Sequence, residues 1–136
     1  MIVLLALLAA AAAVPLPPEA RAIYAAAGMT VNAGTVDGCT GSGAEAKASR
    51  FAVERHDLNI DGRAEAVVSE INGDCFGSSG RAFTVVGTDV GGRWHRLGGA
   101  NGTSRLLPTR HLGWRDIGAV TADGVTELHW TGLGYK

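Results

Sequence analysis

The chain has 136 residues, enough for one domain with a modest single core. Twelve Lys and Arg stand against thirteen Asp and Glu, a formal net charge of -1. That balance excludes the positive field expected of a nucleic-acid binder or a binder of anionic membranes.

Residues 1–14 are apolar without interruption, and no charged side chain precedes Glu19. The run is short of the ~18–20 residues that cross a bilayer as a helix. It has the form of a secretory signal, with Ala11-Ala12-Ala13 as a small-residue cleavage site. The expectation is a signal peptide over 1–13 and one exported domain over 14–136, periplasmic or secreted, with no membrane contact after cleavage. Export also interprets the cysteines. There are two, Cys39 and Cys75, and an oxidising compartment favours a bridge between them. Closing that loop contributes about 3–4 kcal/mol in the chain-entropy model.

Pro15, Pro17 and Pro18 give an extended lead-in, because proline fixes φ and restricts its neighbour. A short helix is predicted over 19–28, with proline at its start, Glu19 in its first turn and Gly28 as the left-handed C-terminal cap. Ala20, Ile23 and Ala27 share its inner face. Residues 29–49 read as a loop with at most one poor strand. Alternation then predicts strands over 51–56, 64–71, 81–90 and 93–97, with Gly91-Gly92 as a two-residue turn. The Gly98-Gly99-Ala100-Asn101-Gly102-Thr103-Ser104 segment reads as a loop, and it lacks the Lys-Ser/Thr ending of a phosphate loop.

A last hairpin is predicted from 117–122 and 125–130 around an Asp123-Gly124 turn, pairing Ala122 with Val125, Ala119 with Leu128 and Ile117 with Trp130. Ile117, Ala119, Leu128 and Trp130 then face the core, while Glu127 and His129 face solvent. The fold class expected is α+β, mainly β: one N-terminal helix packed on an antiparallel sheet of five to six strands.

One motif carries chemistry. Asp57-Leu58-Asn59-Ile60-Asp61-Gly62-Arg63-Ala64-Glu65 lies between two predicted strands. Oxygen-bearing side chains at loop positions 1, 3, 5 and 9, with glycine at 6, suit a hard cation such as Ca²⁺. Asp57, Asn59, Asp61 and Glu65 supply side-chain oxygens, and Arg63 offers its carbonyl. An EF-hand needs an acid at position 12, where Val68 stands, and needs helices on either side.

The segment resembles the strand–loop–strand calcium loops of FG-GAP and VCBS-type repeat proteins. That resemblance implies Ca²⁺ held by Asp57, Asn59, Asp61 and Glu65, and it covers a single copy of the motif. Ile60 stands where the pattern often has glycine, and a β-branched residue resists positive φ. Over a wider span, about 22–135, the chain is similar to small exported bacterial proteins without an assigned activity.

His56, His95, His111 and His129 show no H-x-x-x-H spacing, and no G-x-S-x-G elbow occurs. Trp94 and Trp114, flanked by Arg93, Arg96 and Arg115, are the candidates for a binding surface. The first expectation is therefore a non-enzymatic binding or structural domain with a Ca²⁺-stabilised loop, acting on a protein or a small-molecule ligand. Two alternatives stay open: a small exported hydrolase built on His95, His111 or His129, and an inhibitor or interaction protein using the loops near Trp94 and Trp114.

Overall fold

The structure, a computed structural model, describes residues 14–39 and 48–136. The expected signal peptide at 1–13 lies outside the described residues. Among the described residues the protein is mainly β, with nine strands in three antiparallel sheets and one short α-helix. No helix there is long and apolar enough to cross a membrane.

Helix α1 spans Pro18–Ala26. Pro18 lacks an amide that would be unpaired in the first turn anyway, Glu19 complements the positive end of the helix dipole, and Gly28 at φ +90° ends it. Ile23 is the helix residue fully removed from water. It packs on Ala66, Val68 and Val86, with Tyr24, Met29 and Trp94 at the margin. Burying one such side chain is worth about 1.5–3 kcal/mol.

Strands β1 (Thr30–Asn32) and β2 (Thr35–Asp37) form a small hairpin where a loop was expected. The main sheet follows the order β3 (Arg50–His56), β4 (Glu65–Ile71), β5 (Arg81–Thr88) and β6 (Trp94–Asn101). The second sheet is β7 (Thr103–His111), β8 (Trp114–Thr121) and β9 (Gly124–Leu128). Strand alternation explains the layering. Ala66, Val68 and Val86 point to the helix, whereas Val67, Phe83, Val85 and Leu97 point to the second sheet. There they meet Ile117, Ala119, Leu128 and Tyr135, with Leu58 from the β3–β4 loop. β4 is buried on both faces: Ala66-Val67-Val68 form its apolar centre, and the buried Glu65 and Glu70 stand on either side of it.

Four sequence expectations change. The single sheet of five to six strands is three sheets, because the chain folds the β7–β9 meander over the main sheet rather than extending it. The 98–104 loop is instead the end of β6 and the start of β7. Its glycines answer crowding: a Cβ on Gly99 would sit 2.5 Å from the Phe83 carbonyl oxygen, and one on Gly102, which also takes φ +111°, would sit 2.6 Å from that of Val120. The β5–β6 connection is longer than Gly91-Gly92. Asp89 and Arg93 close a three-residue loop, with the Asp89 amide donating to the Arg93 carbonyl and the Arg93 amide donating to Asp89 Oδ1.

The last hairpin turns at Ala122-Asp123, one residue earlier than expected, so Thr121 pairs with Gly124 and Ile117 pairs with Leu128. The partner of Ile117 thus moves by two residues, an even number. Faces are preserved while partners change. Ile117, Ala119 and Leu128 stay in the core, with Trp130 packed at its edge.

Cys39 and Cys75 form a disulfide across a sequence separation of 36. Beside it the buried carboxylate of Glu70 accepts the Cys39 amide and the Ser49 hydroxyl, each at 2.7 Å.

Candidate metal centre

The β3–β4 loop begins where β3 leaves the ladder after the His56–Glu65 pair. Ile60 at φ +59° and Gly62 at φ +85° both take left-handed backbone, which winds the loop tightly enough to bring alternate side chains inward. One carboxylate oxygen from each of Asp57, Asp61 and Glu65 lies within 4.8 Å of the others.

Backbone amides orient these carboxylates. Asp57 Oδ1 accepts the Asp61 amide at 3.2 Å and its Oδ2 accepts that of Gly62 at 2.9 Å. Asp61 Oδ1 accepts the Arg63 amide at 2.8 Å, and Glu65 Oε2 accepts the Leu58 amide at 2.7 Å. Asn59 donates its Nδ2 to Asp61 Oδ2 at 3.1 Å, while its Oδ1 is shut away from solvent with no hydrogen-bond partner. A buried oxygen acceptor left unpaired costs about 1–3 kcal/mol unless something fills the role.

Electrostatics separates the acids. The Arg63 amide holds the Asp61 carboxyl below the usual carboxylate range. Burial pushes the Glu65 carboxyl upward, and the neighbouring charges of Asp61 and Asp57 add to that. Glu65 is nearly inaccessible, and a cation beside it would offset the burial that disfavours its charged form. The donor set is hard oxygen throughout, carboxylate and amide carbonyl, and it fits an alkaline-earth ion. Leu58 fixes the loop to the body: its side chain is in the core, and its carbonyl accepts the Arg115 amide at 2.9 Å and Arg110 Nη1 at 3.0 Å.

A second convergence was not legible in the sequence. Asp116, at 0% exposure, lies on β8 with its carboxylate toward His111 and His129. His111 Nδ1 sits 2.8 and 2.9 Å from the two Asp116 oxygens, and the two imidazole centroids are 4.0 Å apart. Burial would raise the Asp116 carboxyl, but polar contacts from Thr109, His129 and His111 outweigh it and leave the group below its ordinary value. His129 was expected to face solvent. It is half-buried instead, because the observed register carries it opposite Asp116 rather than Gly118. His95 is elsewhere, exposed and within electrostatic reach of Asp89.

The two tryptophans singled out for a binding surface are in different places. Trp94 carries the Arg55 guanidinium 5.1 Å from its ring centre and borders the helix-side cluster. Trp114 stacks on Trp130, with centroids 4.0 Å apart and planes 15° from parallel, and Tyr135 meets both edge-on. No family model matches this chain, and no curated protein or solved structure matches it.

Proposed function

We propose that the protein is an exported, non-enzymatic binding or structural domain whose β3–β4 loop holds Ca²⁺. The observation that carries this reading is the meeting of three carboxylates, from Asp57, Asp61 and Glu65, beside the buried and unpartnered Oδ1 of Asn59. The likeness to an FG-GAP or VCBS-type calcium loop supports it, since the loop here also joins two strands and carries left-handed backbone at its tip. Asp57, Asn59, Asp61 and Glu65 would hold the ion, with the Arg63 carbonyl as a further oxygen, and the ion would neutralise the repulsion now facing Glu65. Its role is to pin the loop, and through Leu58 the two sheets, in one arrangement. The disulfide and the amino-terminal apolar run favour an extracellular setting, where millimolar Ca²⁺ is available. The partner is then a protein or small molecule met in that compartment.

The test is thermal unfolding in millimolar Ca²⁺ and in chelator. A ligand at 100 times its dissociation constant stabilises the folded state by about 2.7 kcal/mol. The melting midpoint should rise with Ca²⁺ in the intact protein and not in the Asp57→Asn/Asp61→Asn double variant. An unchanged midpoint in the intact protein removes the metal from the proposal.

A further inference from the structure

We infer that His111, His129 and Asp116 form a separate binding site for a first-row divalent metal of the Zn²⁺ class. One potential ligand atom from each of the three lies within 4.8 Å of the others. The site is built by strand register. Continuing the Ile117–Leu128 ladder by one step places His129 directly opposite Asp116, and continuing the Arg110–Arg115 ladder places Thr109 on its other side. The irregularity in β7 between Leu106 and Arg110 sets this second ladder, and such bulges re-aim side chains. The carboxy-terminal tail fixes the third member: the His129 amide donates to the Lys136 carbonyl and the Lys136 amide donates to that of His129.

The alternative is a buried carboxylate simply neutralised by two imidazole donors. His111 serves that way, whereas His129 meets the carboxylate in poorer geometry. Its Nδ1 is closed to solvent and lies 3.0 Å from Asp116 Oδ1 in a misaligned contact rather than a well-formed hydrogen bond. Its Nε2 is 3.5 Å from the Glu127 carboxylate, which can take the ring proton when Nδ1 turns its lone pair to a metal. A carboxylate behind a ligating imidazole is the usual outer-shell arrangement of metal sites. Two imidazoles and one carboxylate suit Zn²⁺ and its neighbours rather than Ca²⁺, so this centre and the acidic loop would select different ions.

Three protein ligands leave a fourth position. The half-exposed rings of His111 and His129 open it to solvent. Binding requires His111 Nδ1 to give up the proton it offers to Asp116. A neutral ring carries that proton on Nε2 instead, so no net proton is lost there.

The experiment is calorimetric titration of the tag-free, disulfide-intact protein with Zn²⁺, together with ¹⁵N spectra of the histidine rings. The expected result is one Zn²⁺ per chain, weakened more than about 100-fold by His111→Ala or by His129→Ala, beyond the range for loss of an outer-shell partner. The Asp57→Asn/Asp61→Asn variant should retain it. In the intact protein both rings should show ligation through Nδ1, with His56 and His95 unaffected, a readout that needs no variant to fold. Lack of stoichiometric binding, undiminished affinity in both histidine variants, or loss of Zn²⁺ in the acidic-loop variant alone would each overturn the assignment.

Discussion

Ile60→Gly should make this protein more stable. A β-branched residue held at φ +59° crowds its own Cβ against the backbone, a cost of about 1–2 kcal/mol. Ile60 is 72% exposed, so almost no buried apolar surface offsets that cost or is lost on substitution. Glycine removes the clash but adds backbone freedom to the unfolded chain, worth about 0.5–1 kcal/mol in the opposite direction. The net gain is then about 0.5–1 kcal/mol, which for a chain of this length moves the melting midpoint by about 2–5 °C. Urea and thermal unfolding, followed by the fluorescence of the stacked Trp114–Trp130 pair, would measure it, with chelator present so that metal linkage does not enter. Ile60→Asn should behave similarly, since asparagine tolerates left-handed backbone. A lower midpoint for Ile60→Gly would refute the strain argument. So would a rise seen only with Ca²⁺, because the turn would then be absent from the metal-free loop.

Leu58→Ala should cost about 2–5 kcal/mol by leaving a cavity at the junction of the loop and both sheets, measurable as a lower urea midpoint. A loss below about 1 kcal/mol would mean that Leu58 does not anchor the loop. Cys39→Ser or reduction of the intact protein should each cost about 3–4 kcal/mol, and the two should agree because both release the same loop. Asp89→Ala should destabilise the β5–β6 hairpin at neutral pH. The Arg93 amide holds the Asp89 carboxyl below its ordinary 3.8, so its contribution is fully present above that value and is lost as pH falls through the lower, folded value. Urea midpoints of wild type and variant should therefore converge in strong acid; a constant gap would show that the carboxylate charge is not involved.

Local chemistry was legible in the residues. Alternation around Val67-Val68 marked the central strand, Pro18, Glu19 and Gly28 bracketed the helix, and the two cysteines pointed to their bridge. The loop from Asp57 to Glu65 could be written as a set of alternating oxygens because its whole geometry is set within nine residues and one left-handed turn. Pairing across strands followed other rules. β7 escaped notice because its exposed residues and Pro108 break the alternation, and only its partner β8 makes it a strand.

The histidine site depends on the same non-local information. A hairpin turn displaced by one residue puts His129 opposite Gly118 instead of Asp116, and the constellation disappears. Residue type and spacing determined the strands of the main sheet, which turn could gather oxygens and which cysteines could pair, because those follow from backbone preference and side-chain period over a few residues. Which strand lies beside which, in what register, was decided by packing of Phe83, Ile117, Leu128 and Tyr135 between sheets. That burial is shared among residues far apart in the chain, and so is the meeting of Asp116 with its two histidines.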